Sequence, residues 1–202
     1  MLVELAAAAL VCLDPGHGTV PAIGAQREPI APGSRTLKVK DPGGAPGEAQ
    51  VALAIALRTR IELRGRGFRV AMTRERDGYR GGNVARAQLC NRRGAALMLR
   101  IHADGSTDAS RHGAATLYPP GRPRSLRAAR LVQRELVRAT GARHLGLVPR
   151  TDLTGFNWAR VPVVLVETGF MTNAREAAKL RSAAYQQRVA RGLAAGAAAF
   201  LR

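Results

Sequence analysis

Residues 162–167 read Pro-Val-Val-Leu-Val-Glu, and this stretch decides the architecture. Val163, Val164 and Val166 are β-branched and Leu165 is apolar, so the run has no polar face. Such a strand is buried on both sides and belongs at the centre of a parallel sheet covered by helices. Working outward, residues 8–13 (AALVCL) form a second apolar run, ending at the turn signal Asp14-Pro15-Gly16. Residues 68–73, 96–102 and 113–118 read as further strands, with a short one at 146–150. Between them, residues 48–64 have helical spacing, with Val51, Ala54, Ile55, Ile61 and Leu63 apolar and Gly65 and Gly67 as the stop. Residues 83–93, 124–139, 173–182 and 184–201 are the other expected helices. Strands alternating with helices imply an α/β fold with a mostly parallel sheet and helices on both faces. The 202 residues suit a single domain with one core, spanning 1–202.

Residues 18–47 break this rhythm. Prolines and glycines punctuate them, so they read as a long loop with a hairpin around Thr36–Val39. The loop is expected to line or partly cover whatever groove the sheet edge forms.

Composition excludes several classes. Apolar residues are 46% and charged residues 23%, which is ordinary for a globular protein and excludes disorder as the reason for a net charge of +18. Only Lys38, Lys40 and Lys179 are lysines, so arginine dominates the 32 basic residues. This charge attracts polyanions without choosing among them. The arginines are scattered, with no compact basic run or zinc-finger spacing, which argues against specific nucleic-acid recognition. Aromatic residues are 4%, too few for a carbohydrate-stacking surface to dominate. The plain reading of Cys12 and Cys90 is two buried thiols, with one disulfide left open. No apolar stretch is long enough for a transmembrane helix. The opening MLVELAAAALVCL fails as a secretory signal, because Glu4 stands where a basic segment belongs and the run continues into Asp14. Either an export signal is missing from this chain or the protein leaves the cell by another route.

Ligands of a parallel sheet sit beyond the carboxyl ends of its strands. The residues there are Asp14-Pro15-Gly16-His17, Ile101-His102-Ala103-Asp104 and Glu167-Thr168-Gly169, while Glu48 opens a helix directly after the loop. Taken singly, His17 reads equally well as a turn residue. Glu48 alone reads as an acidic residue favouring a helix amino end. His102 has no packing advantage at the end of an apolar strand. Glu167 is the most telling, since a carboxylate on the most buried strand costs stability unless solvated, paired or used. Together, two imidazoles and a carboxylate make a catalytic zinc set, and a second carboxylate is left free as a base. His112 and His144 lie beside Arg111 and Arg143 and read as surface residues, and Tyr118 and Trp158 as packing residues.

These residues resemble a known family, the zinc-dependent N-acetylmuramoyl-L-alanine amidases of the type-3 class, which hydrolyse peptidoglycan. The resemblance runs from Leu13 to about Leu201. It is carried by LDPGHG (13–18), Glu48, VAMTRERD (70–77), Arg86 with Asn91, IHAD (101–104) and VPVVLVETGFMTN (161–173), in that order. It implies a twisted, mainly parallel six-stranded sheet with helices on both faces. It implies His17, Glu48 and His102 as ligands of one zinc ion, and Glu167 as the catalytic carboxylate. It implies cleavage of the amide between the lactyl group of N-acetylmuramic acid and L-alanine. The chain departs from the family pattern at Arg100, at Asp104, and in the helix after Glu48, which lacks an Asn; none of these is an implied ligand.

The expected partners are peptidoglycan or muropeptides, with anionic wall polymers drawn to the basic surface, and the expected state is a monomer. The expected location is extracellular, in the envelope or periplasm, or the cytoplasm for a phage-type lysin released at lysis. Two rivals stand beside this reading. A zinc peptidase acting on stem peptides often shows HxxE or HExxH, whereas Gly18-Thr19-Val20 follows His17. A non-catalytic wall or polyanion binder would not need Glu167 as well as all three ligands.

Overall fold

Every residue from Leu10 to Pro15 is buried, as a strand covered on both faces requires. In the computed structural model, which describes residues 8–202, this strand is β1 (Leu10–Pro15). It is followed by α1 (Pro21–Gly24), β2 (Arg27–Pro29), β3 (Leu37–Val39), α2 (Glu48–Arg64), β4 (Arg69–Met72), α3 (Asn83–Arg92) and β5 (Leu97–Asp104). The chain continues through β6 (Ala114–Tyr118), α4 (Pro123–Thr140), β7 (His144–Pro149), α5 (Thr154–Trp158), β8 (Val163–Phe170), α6 (Ala174–Arg181) and α7 (Ala183–Leu201). The N-terminal segment on which the leader reading bears, residues 1–7, lies outside the described residues.

The main sheet has six strands in the order β4-β1-β5-β8-β6-β7. The pairs β4–β1–β5–β8 are parallel, which places the ends of β1, β5 and β8 on one edge. β6 runs antiparallel to β8, and β7 follows β6 in parallel, so the sheet is mixed. PVVLVE is an interior strand, as its composition requires.

Alternation along the strands splits the core in two. Val11, Leu13, Leu99, Ile101, Val164 and Val166 face one way, against α2, α4 and α7. Cys12, Met98, Val163 and Leu165 face the other way, against α3 and α5. Asp14, Arg100, His102 and Glu167 share the parity of this second face. Under α3 and α5 that face is polar at Asp14 and Arg100, which meet Arg86 and Asn83 of α3.

Two expectations change. Ile61 is 68% exposed, because the apolar side of α2 narrows to Leu63 at its last turn. Cys12 and Cys90 are not free thiols but form a disulfide between β1 and α3, with Cα atoms 5.6 Å apart. The long loop is also more ordered than its composition suggests. It holds α1 and an antiparallel hairpin of β2 with β3. Glu28 of this hairpin accepts hydrogen bonds from the Asn83 and Val84 amides, so a loop carboxylate caps α3. Lys38 pairs with Asp152 at 3.2 Å, and Trp158 Nε1 donates to the Pro29 carbonyl. No helix among the described residues is long and apolar enough to cross a membrane.

Candidate metal and active site

The turn after β1 places His17 at φ 56°, a left-handed conformation that costs a non-glycine residue about 1–2 kcal/mol. Two buried arginines hold it there. Arg74 donates to the carbonyls of Pro15, Gly16 and Ala49 at 3.1, 2.7 and 2.7 Å. Arg86 donates to the carbonyls of Pro15 and His17, both at 2.7 Å, and to Asp14 at 2.8 Å. Arg100 completes the cluster by donating to the other Asp14 oxygen at 2.7 Å. Burial alone would raise the Asp14 carboxyl, but the Arg86 and Arg100 charges and the Thr73 hydroxyl hold it far below the usual carboxylate range. A carboxyl depressed in the fold contributes stability above about pH 4 that is lost as the pH falls further.

Removing Asp14 leaves two guanidinium groups buried without their anion. Asp14→Ala is therefore expected to cost about 3–5 kcal/mol. For a chain of this size that lowers Tm by roughly 10 °C, and calorimetry of the purified variant reads it directly. An unchanged Tm would show that the turn is not held by this network.

The four residues singled out from the sequence come together. His102 and Glu167 are register partners on β5 and β8. Glu48 is the first residue of α2, entered through Gly47 at φ 85°. Its carboxylate accepts from the Ala45 and Ala103 amides, at 2.9 and 3.2 Å, which aims it at the strand ends. Glu48 Oε1 lies 3.2 Å from His17 Nε2 and 3.0 Å from His102 Nδ1. The two imidazole centroids are 4.9 Å apart, nearly perpendicular. Glycine is required beside them at two points. A Cβ on Gly16 would strike the His102 ring, and one on Gly44, at φ 71°, would meet both His17 and Glu48.

Asp41, from the long loop, was not singled out by the sequence reading. Its Oδ1 lies 2.7 Å from His17 Nδ1, and it also accepts from the Thr19 and Gly43 amides. A carboxylate can only accept here, so Nδ1 carries the proton and Nε2 is turned to the site. Nothing in the local pattern around Asp41 marks this role, since the contact spans 24 residues of loop.

These close-set, buried groups perturb one another's protonation. Burial alone would lower the pKa of His17, yet its hydrogen bonds to Asp41 and Glu48 raise it to about 9. Burial alone would raise Glu48, but His102 and His17 hold it well below the usual carboxylate range. Burial lowers His102. Burial, with the charges of Asp104 and Glu48, pushes Glu167 well above its ordinary value. Two side-chain atoms of the site, His102 Nε2 and Glu167 Oε2, are shut off from solvent without a hydrogen-bond partner.

Donor atoms of His17, Glu48 and His102 all lie within 4.8 Å of one another, so the three could hold a metal ion. Their closest separations approach the roughly 3.3 Å expected between ligands sharing one tetrahedral ion at about 2 Å. Two nitrogens and an oxygen suit zinc, and the carboxylate behind His17 is the usual support for such a ligand. His112 and His144 are exposed and take no part. Tyr118 and Trp158 pack against the two halves of the core.

Known proteins share this chain's pattern. The N-acetylmuramoyl-L-alanine amidase family profile (Amidase_3) matches residues 11–199. N-acetylmuramoyl-L-alanine amidase Rv3717 of Mycobacterium tuberculosis is 31% identical over 208 residues, covering 95% of this chain and 86% of that protein. N-acetylmuramoyl-L-alanine amidase LytC of Bacillus subtilis is 30% identical over 199 residues, but the chain spans only 35% of its length. Among solved structures, the N-acetylmuramyl-L-alanine amidase Ami1 of Mycobacterium smegmatis is 31% identical with a TM-score of 0.87, covering 96% of this chain and 97% of that one. Since the profile extends over nearly all of the six-stranded sheet and takes in His17, Glu48, His102 and Glu167, the chain belongs to the N-acetylmuramoyl-L-alanine amidase family.

Proposed function

We propose that this protein hydrolyses the amide joining the lactyl carbonyl of N-acetylmuramic acid to L-alanine in peptidoglycan, with one zinc ion held by His17, Glu48 and His102. The observation that carries this is the convergence of those three donors beside an unpaired, buried carboxyl oxygen of Glu167. Bound zinc supplies two things: a water acidified toward neutral pH and polarisation of the carbonyl under attack.

The chain's own residues do the rest. Asp41 fixes the tautomer and orientation of His17. The Ala45 and Ala103 amides fix Glu48. Glu167 Oε2 takes a proton from the attacking water as its oxygen bonds to the carbonyl carbon. It returns the proton to the alanine nitrogen as the carbon–nitrogen bond breaks, leaving a lactyl carboxylate and a free amine. A carboxyl pushed upward by burial holds a proton more readily than a solvated one, which suits both halves of this exchange.

The setting agrees with action in the envelope. The Cys12–Cys90 disulfide belongs to an oxidising compartment. The net charge of +18 favours contact with carboxylate- and phosphate-bearing walls.

The test is mass spectrometry of the soluble products released from purified peptidoglycan. Free stem peptides beginning at L-alanine, lost with a zinc chelator and restored by zinc, are expected. Fragments cut within the peptide would replace this reading with the peptidase, and no release with any metal would leave a binder.

A further inference from the structure

A cavity lies at the opposite edge of the sheet, where β8 begins and β6 ends. It measures about 900 Å³. Pro162 borders it, five residues before Glu167 on the same chain, so roughly 17 Å of strand separates the two. Four arginines from three parts of the chain line it: Arg92 at the end of α3, Arg122 and Arg124 at the start of α4, and Arg160 before β8. No Asp or Glu is among its lining residues.

The walls are built. Arg122 Nη1 donates to the Ala159 carbonyl at 2.6 Å, and Asn91 binds both the Trp158 carbonyl and the Arg160 amide. Arg92, Arg124 and Arg160 form no salt bridge with a carboxylate among the described residues, and Arg124 lies 5.7 Å from the Phe200 ring centroid. Other arginines, such as Arg60, Arg138 and Arg150, do pair with carboxylates. Arg92, Arg124 and Arg160 are exposed and Arg122 is half-buried, so the positive charge lies at the open rim of the cavity. Several arginines at one rim suit the multiple oxygens of a phosphodiester better than a single planar carboxylate.

We infer that this cavity binds phosphodiester groups of an anionic envelope polymer and so holds the enzyme at its substrate. That the polymer belongs to the envelope rests on the amidase reading; the phosphate chemistry does not. A hollow of this size admits a thin flexible chain, whereas a nucleic-acid duplex would need an extended basic stripe.

Trp158 is the chain's only tryptophan and lines the cavity, so intrinsic fluorescence reports occupancy. The probe is a glycerol-phosphate oligomer, titrated at two salt concentrations. A saturable change is expected, weaker at high salt. Arg92→Ala with Arg160→Ala should raise the midpoint by about tenfold or more, from the loss of two charge-assisted contacts. Arg69→Ala with Arg130→Ala removes the same charge elsewhere and should shift it less than about threefold. Equal shifts in the two double variants, or no saturable change, would overturn the proposal. Tighter binding of single-stranded DNA or of phosphatidylglycerol vesicles than of the oligomer would also overturn it. Muropeptide hydrolysis is measured alongside and should be unchanged in Arg92→Ala/Arg160→Ala. If the wild type binds the oligomer but hydrolyses nothing, the amidase reading fails while the phosphate site stands.

Discussion

Glu167→Ala is expected to reduce stem-peptide release from peptidoglycan by at least about 100-fold, the lower end of what a positioned acid–base group contributes. The same protein should still bind zinc with an affinity close to that of the wild type. Glu167 is not among the three convergent donors, and its Oε2 makes no hydrogen bond, so its loss is expected to remove a proton carrier and leave the cradle intact. Glu167→Gln keeps the shape but cannot take a proton, and should be as inactive as the alanine variant. Retention of more than about a tenth of wild-type activity in either variant would show that another group carries the proton. Metal content of the purified variants, read beside the rate, separates this from loss of the ion.

His17→Ala and His102→Ala should lose metal and activity together. Each removes one of the three convergent donors, and a catalytic zinc site takes three protein ligands. Asp41→Ala provides the graded comparison. It leaves all three donors but frees the His17 ring to rotate and change tautomer, a loss worth about 10–100-fold in metal affinity. The expected order of zinc retention under chelator challenge is wild type, then Asp41→Ala, then the two histidine variants. Full zinc retention by His17→Ala would remove His17 from the ligand set.

The candidate site was legible in the sequence because its residues stand where periodic patterns stop. His17 and His102 follow apolar runs, Glu167 ends a β-branched one, and Glu48 begins an amphipathic helix. A parallel sheet gathers such endpoints on one edge. Asp41, Arg74, Arg86 and Arg100 were not legible in role, because each acts through a partner far along the chain. Arg100 stands 86 residues from the Asp14 it neutralises, and nothing in the flanking LMLRIH shows that an interior strand can carry a charge there.

By itself, then, the sequence determined the alternation of strand and helix, the two-sided burial of β1 and β8, and which four candidate residues stand at the strand ends and at the start of α2. These follow from local period and composition, which act over a few residues. The tertiary structure alone decided that β6 runs antiparallel, that Cys12 meets Cys90, that a loop carboxylate supports His17, and that four dispersed arginines ring one cavity. Each of these depends on which distant surfaces pack together. Burial and charge pairing make that choice only once the whole sheet has closed over its two cores.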